Sequence, residues 1–560
     1  MKEIIVKILE SAFKKEKIKL NKEKILELIE VPRDATLGDF AFPCFVLASQ
    51  LKSSPNQIAI KLREAIGKTS EGFEDIQSVG PYLNFFVDRK TLAIKTVQEV
   101  IKLKEKYGTS NDGKGKLIVI DLSSPNIAKP FGIGHLRSTI IGNSLGEIAK
   151  KLGYKVIKIN YLGDWGTQFG KMIVGWKKFG NETELKKDPI KFMLKLYVEG
   201  NKEEYEQEAR DWFKKLENGD KEATDLWKKF KELSLKEFDN LYKLLGINFD
   251  EISGESFYNN KMDKTIKELR DKKLLKESDG ALVVDLEKYG LGVSLIKKSD
   301  GATLYATRDI TAAIDRFKRY GFSRMIYEVG QEQKLHFQQF FKILELMGYD
   351  WAKNCIHVYH GLYLDKDGKK FATRKGKTVL MEDILGETIE LAKKRIEDKN
   401  PKLKNKKEAA KKIAIGAIFY GDLKNFRAND MVFDLDRFLE FEGNTGPYLL
   451  YSYARAKSIL RKVKPKKTNI LFEDLEEKEI ELVKKISEFS SMVEKAYEQM
   501  NPSIIANYAY QLSQTFNEFY HECPVIGSDK EKFRLMLVEA FSQVLKNSLA
   551  LLGIETLEEM

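Results

Sequence analysis

The residues best suited to chemistry lie in SSPNIAKPFGIGHLRST, 123–139, between a short apolar run and a helical pattern. Gly132 and Gly134 would let the backbone approach a ligand closely. The helix that follows would offer free amides and the positive end of its dipole, and Lys129 and His135 would add donors. This corner suits the phosphates of a nucleotide. On the pattern alone, the alternative that His135 only bonds the backbone at its helix start stays open.

A second set of donors lies in the loop KKFATRKGK, 369–377, which contains Lys370 and Arg374. A basic surface loop is the alternative explanation. Neither Gly-Lys-Thr tripeptide, at 67–69 or at 376–378, has a glycine five positions earlier. The sequence therefore excludes the P-loop way of binding phosphates.

A third stretch, SDGATLYATRDITAAI at 299–314, runs from a strand pattern into a helix pattern. Tyr305 and Asp309 are four residues apart and can share one helical face. A fixed carboxylate is what a guanidinium needs for bidentate, charge-assisted hydrogen bonds. The alternative for Asp309 is an acid in the first turn of a helix, where the dipole favours it.

The elements around these residues predict an α/β fold. LIVIDL (117–122) suits a buried parallel strand, a helix is expected from about Gly134 to Lys151, and KVIKIN (155–160) suits the next strand. Together they form a βαβ unit. Further strand patterns occur at LVVDL (282–286), TLYAT (303–307) and RMIYEVG (324–330). The sequence predicts a Rossmann-like domain over 106–400, with a charged, largely helical insertion at about 175–290.

The two ends of the chain have a different character. Residues 1–105 predict a small α+β domain that ends in the strand-like YLNFFVD, followed by a polar, glycine-rich linker. Residues 401–560 predict an all-α bundle. Its 502–519 helix presents one apolar face, formed by Ile505, Tyr508, Leu512, Phe516 and Phe519.

Composition sets wider limits. The chain has 560 residues, 42% hydrophobic and 32% charged, which is typical of a globular protein with several cores. Its formal charge of +12 fits either solubility or a polyanionic partner. The three cysteines are far apart, which argues against a disulfide framework or a cysteine zinc site and favours a cytoplasmic protein. We expect neither a signal peptide nor a membrane span.

The segment 123–139 resembles the first signature of class I aminoacyl-tRNA synthetases, His-x-Gly-His, in the form found in the arginyl-tRNA synthetase family. The first histidine is replaced by Gly132. KFATRKG (370–376) loosely resembles the second signature, KMSKS, with Thr373 at its second lysine. The resemblance implies that Lys129, His135 and Lys370 act on the phosphates.

The same family resemblance implies the roles of further residues. Tyr305, Asp309 and Gln333 match the positions that hold the substrate guanidinium. The remaining matches are Ser124, Pro125, Asn126 and His135 at the arginine site, and Gly132, Gly134, His135, Lys129, Gly330, His360, Lys370 and Arg374 at the ATP site. Mg²⁺ is expected as the counterion of ATP, and no protein metal site is expected.

The helical stretch 422–459 resembles the family's anticodon-binding bundle. There Tyr448, Tyr451 and Arg455 combine the aromatic and basic groups that RNA-binding proteins use. A buried aromatic stripe is the alternative for the tyrosines, with Leu449 and Leu450 pointing inward. The family further implies an N-terminal domain that touches the tRNA elbow, an arginine tRNA and L-arginine as partners, and a monomer.

Two rival classes remain open. One is another nucleotidyl-transfer enzyme on the same fold, including a synthetase for a different amino acid. The pair Tyr305 and Asp309 argues against this class. The other is a catalytically inactive tRNA-binding paralogue, for which only the replacement at Gly132 speaks.

Overall fold

The structure is a computed structural model that describes residues 2–32, 34–68, 72–127, 129, 131–299, 305–371, 373–374, 377–463 and 475–560. The chain divides into two compact units. One unit comprises Met1–Lys104, Ile459–Glu488 and Gln514–Gln543, and the other comprises Glu105–Ser458, Phe489–Ser513 and Val544–Met560.

The N-terminal region has the predicted α+β character. Its elements are α1 (Lys2–Lys15), α2 (Lys22–Leu28), β1 (Phe40–Pro43), α3 (Ala48–Leu51), α4 (Pro55–Ile66), β2 (Phe73–Val79), β3 (Tyr82–Val87) and α5 (Arg89–Leu103). The three strands form an antiparallel sheet in the order β1-β3-β2. Helix α1 buries Ile5, Val6, Leu9 and Phe13 along one face, which is the amphipathic pattern that its sequence shows.

The nucleotide-binding fold begins with the predicted βαβ unit. It consists of β4 (Leu117–Asp121), α6 (Ile133–Lys151) and β5 (Lys155–Leu162). Val119, Ile120 and Ile159 are fully buried, as expected for strands covered on both faces.

The chain then leaves the sheet for a long, mainly helical excursion. Its elements are α7 (Gln168–Phe179), α8 (Glu182–Lys187), α9 (Pro189–Gly200), α10 (Glu206–Glu217), α11 (Lys221–Leu245), β6 (Glu251–Gly254), α12 (Met262–Asp271), β7 (Leu275–Ser278), β8 (Ala281–Asp285) and β9 (Val293–Lys297). Strand β6 pairs with β5, so the range predicted as an insertion contains one strand of the main sheet. That strand is short and has an exposed isoleucine, Ile252, so it carries little hydrophobic signal.

The fold is completed by α13 (Tyr305–Tyr320), β10 (Arg324–Gly330), α14 (Lys334–Leu346), β11 (Cys355–His360), β12 (Tyr363–Leu364), β13 (Thr373–Arg374), β14 (Lys377–Thr378) and α15 (Met381–Lys399). The main sheet is parallel throughout, in the order β11-β10-β4-β5-β6. Counted along the chain, this is the Rossmann order 3-2-1-4-5, whose ligand crevice lies where the winding reverses, at β4 and β10. The predicted Rossmann-like fold is confirmed.

Two strand predictions need correction. LVVDL does form β8, but in a separate antiparallel sheet of order β7-β8-β9 rather than in the nucleotide sheet. TLYAT is not a strand where the structure describes it, because 305–307 already belong to α13 and 303–304 lie outside the described residues. A run as short as TLYAT fits a strand or a helix, and the amphipathic helical pattern that starts at Tyr305 prevails.

The C-terminal part is helical, as predicted, apart from one two-residue strand. Its elements are α16 (Lys406–Leu423), β15 (Met431–Val432), α17 (Leu435–Phe438), α18 (Gly446–Lys462), α19 (Glu477–Ser487), α20 (Phe489–Glu498), α21 (Ser503–Glu522) and α22 (Glu531–Leu551). The five residues expected on one face of the 502–519 helix are all buried.

Helices of the excursion approach each other through glycine. A Cβ on Gly175 of α7 would lie 2.2 Å from the carbonyl oxygen of Leu196 in α9. A Cβ on Gly200 of α9 would lie 2.0 Å from the carbonyl oxygen of Lys171 in α7. Only residues without a side chain allow this backbone contact.

Gly175→Ala should therefore separate α7 from α9 and lower the free energy of unfolding by about 1–3 kcal/mol. The matched control is Gly386→Ala in α15, where a Cβ would meet nothing within 4 Å. That change should stabilise the helix by about 0.5–1 kcal/mol. Thermal unfolding of both variants checks this, and equal shifts of Tm in the same direction would contradict the glycine argument.

Candidate active site

The loop after β4 is strained at two consecutive serines. Ser123 and Ser124 have φ values of 74° and 49°, a region that residues other than glycine rarely adopt. Ser123 N–H donates to Ser138 Oγ at 3.0 Å, and Ser124 Oγ donates to Asp121 Oδ1 at 3.0 Å. The surrounding structure therefore holds this loop in one conformation at the carboxyl end of the central strand.

The start of α6 fixes the state of His135. The N–H of Gly132, the residue before the helix, donates to His135 Nδ1 at 3.2 Å. Burial, and next the charge of Lys129, lower the pKa of His135 to about 4. His135 is therefore neutral near pH 7, with Nδ1 as the acceptor and the proton on Nε2.

A cavity of about 440 Å³ opens at this corner, between the carboxyl ends of β4, β10 and β11. Seven of the expected site residues line it: Ser124, Gly132, Gly134, His135, Gly330, His360 and Lys370. The predicted phosphate corner and the predicted basic loop thus meet at one site. Both lie near the switch point of the sheet, where open α/β folds bind ligands.

The second signature contributes Lys370 in an open position. Its side chain is 66% exposed, and its Nζ lies 3.9 Å from Glu332 Oε1. Phe371 stacks on Phe433 with ring centroids 5.5 Å apart, which anchors the loop beside the cavity. Arg374 belongs to β13, and its side chain lies outside the described residues, as do Ala372, Lys375 and Gly376.

Lys129 is near this cavity but is not part of its wall. Its Nζ lies 5.3 Å from the ring centroid of Tyr197. Its charge nonetheless acts on His135, as the lowered pKa shows. A lysine on a long flexible side chain can move between these two neighbours.

The predicted guanidinium-binding residues lie outside the wall of that cavity, around His336. Asp309 Oδ2 is 2.7 Å from His336 Nε2, and the Tyr305 ring centroid is 4.8 Å from that of His336. Tyr305 is 56% exposed. Gln333 is exposed and precedes α14 three residues before His336.

Pro125 and Asn126 join the β4 loop to the turn after β5. The Gly163 N–H donates to the Pro125 carbonyl at 3.1 Å, and Asn126 pairs with Gly163 as a bridge. Beyond this turn, Trp165 packs edge-on against Phe213 and Trp227. The segment NYLGDWG (160–166) thus makes packing contacts beside the β4 loop.

Sequence reasoning missed an acidic neighbour of Asp309. Burial raises the pKa of Glu255 to about 7, the positive charge of Arg308 opposes this rise, and the negative charge of Asp309 adds to it. Asp309 also adds to the effect of burial in raising the pKa of Tyr161, whose hydroxyl has no hydrogen-bond partner among the described residues. No motif marks Glu255, because it comes from a distant part of the chain.

Arg137 was also missed. It is fully buried two residues after His135, and it donates to the carbonyls of Leu362 and Asn429 at 3.2 and 2.9 Å. Its Nε lies 3.3 Å from Asp422 Oδ1 of α16. In the sequence, Arg137 is the one charged residue of the stretch LRSTIIGNSLG (136–146), and this is the signal that could have indicated an inward-facing arginine.

The residues predicted to contact tRNA lie together on α18. Arg455 Nη2 donates to the Tyr451 hydroxyl at 3.2 Å, and its guanidinium lies 4.8 Å from that ring. Tyr451 is exposed, whereas Tyr448 packs 5.7 Å from Tyr510. The expected inward positions of Leu449 and Leu450 are confirmed, since both are fully buried.

The described residues contain no group of three or more histidine, cysteine, aspartate or glutamate side chains placed to hold a metal ion. In the part of the chain that the structure describes, no helix is both long enough and apolar enough to cross a bilayer.

Three family models match this chain. They are tRNA synthetases class I (R), catalytic domain, over 96–435; DALR anticodon binding domain, over 449–560; and Arginyl tRNA synthetase N terminal domain, over 1–87. The arginine–tRNA ligase of Clostridium perfringens is 48% identical over 98% of each chain. Arginine–tRNA ligase 2 of Bacillus anthracis is 49% identical over 97% of each.

Solved structures agree in fold. The arginyl-tRNA synthetase of Thermus thermophilus matches with a TM-score of 0.84 at 23% identity, covering all of both chains. That of Plasmodium falciparum matches with a TM-score of 0.81 at 26% identity, covering 100% of this chain and 99% of its own. The chain therefore belongs to the class I arginyl-tRNA synthetase family.

Proposed function

We propose that the protein is an arginine–tRNA ligase, which activates L-arginine with ATP and then loads it onto arginine tRNA. The observation that carries this proposal is the identity of 48–49% to arginine–tRNA ligases over nearly the whole chain. The cavity at the carboxyl ends of β4 and β10 supplies a place for ATP.

In the first step, a carboxylate oxygen of arginine attacks the α-phosphorus of ATP. The bond to the β-phosphate oxygen breaks, and arginyl-adenylate and pyrophosphate form. The neutral His135 would donate from Nε2 to a phosphate oxygen, and the first amides of α6 would face the same charge. Lys129 and Lys370 would offset the charge that develops, with Arg374 assisting in the same loop.

Mg²⁺ would arrive with ATP. This ion keeps several waters and binds chiefly to substrate phosphates, with one or two carboxylates at most. Its role would be to neutralise the phosphates, while the chain itself orients them.

The guanidinium of arginine would pair with Asp309, flanked by Tyr305 and Gln333. His336 contacts only Oδ2 of Asp309, so the second oxygen can accept from the substrate. Glu255 lies near Asp309, but its charge is only partly present near pH 7 and Arg308 lies 3.8 Å from it, so Asp309 is the main charge partner. Ser124, Pro125 and Asn126 would position the reacting end of arginine, since Ser124 lines the cavity and Asn126 fixes the same loop to Gly163 after β5.

In the second step, the 2′-hydroxyl of the terminal adenosine of the tRNA attacks the arginyl carbonyl carbon. The ester forms and AMP leaves with its phosphate. The tRNA would contact the 1–105 domain at its elbow and the 401–560 bundle at its anticodon, with Tyr451 and Arg455 as exposed contacts and Tyr448 beside them. We propose a monomer that works in the cytoplasm.

Arginine-dependent exchange of pyrophosphate into ATP tests the function. We expect exchange with arginine plus its tRNA, and none with citrulline, which has the same shape but no positive charge to pair with a carboxylate. Failure of arginine to support exchange even with tRNA present would reject the proposal. Exchange with another amino acid instead would favour the rival synthetase.

Asp309→Asn should raise KM for arginine about a hundredfold, because it removes the charge partner of the substrate guanidinium. KM for ATP should change far less. Asp315→Asn is the matched control on α13, since Asp315 pairs with Arg319 and Lys261. Steady-state exchange kinetics measure both constants. Equal losses for arginine and ATP would remove Asp309 from the guanidinium site.

The lowered pKa of His135 predicts a pH effect on stability. The unfolded histidine takes up a proton near pH 6.5, whereas the folded one does so only near pH 4. Lowering the pH from 7 to 5 therefore favours the unfolded state, by about 2 kcal/mol from this group. His135→Gln should lose less stability over that interval in urea unfolding. Identical pH dependence of the two proteins would show that His135 is not buried in its neutral form.

A further inference from the structure

A buried carboxylate faces the nucleotide cavity beside a histidine. Glu328 of β10 is 1% exposed, and His360 at the end of β11 is 8% exposed. Glu328 Oε1 lies 2.9 Å from His360 Nδ1, and both residues line the cavity. Glu328 Oε2 has no hydrogen-bond partner among the described residues.

This contact fixes where the imidazole carries its proton. A carboxylate can only accept, so Nδ1 of His360 must be the donor. Nε2 then presents a lone pair when the ring is neutral. Nε2 has no hydrogen-bond partner among the described residues. It lies beside Gly330 and the Glu332 carboxylate: a Cβ on Gly330 would be 3.7 Å from Nε2 and 2.5 Å from Glu332 Oε2.

Other ionisable groups lie close to this pair. Burial lowers the pKa of Arg427, and the negative charge of Glu328 partly offsets this effect. The Glu328 carboxylate therefore has a cation near it. His360 also faces His135, whose pKa is lowered by burial, then by Lys129, and to a lesser degree by His360.

The two histidines of the cavity thus have opposite hydrogen-bonding roles. His135 accepts at Nδ1 from Gly132 and presents a donor at Nε2, which suits phosphate oxygens. His360 donates at Nδ1 to Glu328 and presents an acceptor at Nε2, which suits an amino group. Of ATP, the phosphates offer only acceptors, whereas the 6-amino group of adenine and the two ribose hydroxyls can donate. Only the 6-amino group distinguishes adenine from a base with a carbonyl at position 6.

We propose that Glu328 is a positioning residue for nucleotide choice: it holds His360 in the tautomer whose Nε2 accepts from the adenine 6-amino group. The inference rests on the proposed function in taking ATP as the nucleotide of this cavity. A carbonyl at position 6, as in inosine triphosphate (ITP), would face the lone pair of Nε2 and be rejected.

The first experiment compares ATP with ITP in arginine-dependent exchange. The ratio of kcat/KM for ATP to that for ITP should fall about tenfold or more in Glu328→Gln, because the Gln amide can donate to Nδ1 and release the tautomer. KM should carry the change and kcat should move little. His357→Gln is the matched control: it lies on the same strand, but it bonds the Val329 carbonyl and stacks on Phe337. The control should leave the ratio unchanged.

His360→Phe provides a second variant, which keeps a planar ring and removes both nitrogens. If the two residues act as one, the double variant should show the same ratio as either single variant. Independent, additive effects of Glu328 and His360 on the ratio would overturn the proposal, and so would a wild-type ratio near one.

A direct readout needs no activity. The chain has only five histidines, so ¹⁵N spectra of the histidine-labelled protein should be assignable, with His360 identified by its loss in His360→Phe. We expect a protonated Nδ1 and an unprotonated Nε2 at neutral pH. A doubly protonated ring, or a proton on Nε2, would overturn the inference even if Glu328→Gln fails to fold. Calorimetry of ATP and ITP binding keeps this test separate from any failure of arginine-dependent exchange.

Discussion

The guanidinium of Arg137 constrains the geometry of the whole active site. Its charge is fully buried, and removing a charge from water is very costly unless partners surround it. Those partners come from three places: the Leu362 carbonyl beside β12, the Asn429 carbonyl, and Asp422 at the end of α16. Helix α6 cannot shift against these segments without exposing or unpairing the charge.

The same network holds Asp422 from a second side. The Tyr363 hydroxyl donates to Asp422 Oδ2 at 2.5 Å, and the Tyr363 ring lies 5.3 Å from the Arg137 guanidinium. Strand β12 pairs with β15, so the wall of the cavity and the start of the helical part form one hydrogen-bonded block. The second turn of α6, which contains Arg137, is thus fixed in place. The first turn, which contains His135, stays open to ligand.

The contacts of Gly132 show why the site tolerates glycine where the first signature has a histidine. A Cβ at this position would meet only His135 Nδ1, at 3.9 Å, so crowding does not require glycine here. The part of Gly132 that matters is its N–H, which sets the tautomer of His135. Any residue other than proline could provide that donor, which explains how the phosphate corner can keep its geometry after losing one imidazole.

The sequence by itself determined the α/β class, the βαβ unit, the helical C-terminal part and the corner containing Gly132 and His135. Each has a local cause: an apolar run, a helical period or a glycine-rich turn reports its own conformation. The spacing of Tyr305 and Asp309 predicted that they share one helical face, whereas their proposed role toward a guanidinium rests on the family resemblance. The sequence did not predict strand β6 or the start of α13. A short edge strand carries a weak pattern, and the short run TLYAT carries a misleading one.

Only the tertiary structure decided which polar groups meet. Glu255 lies near Asp309, Glu328 bonds His360, and Arg137 is buried against Asp422, although each pair is separated by tens to hundreds of residues. Periodicity cannot report such contacts, because they depend on strand order and on where helices cross the sheet. Tautomers and shifted pKa values follow from burial and from neighbouring charges, which exist only after the chain has folded.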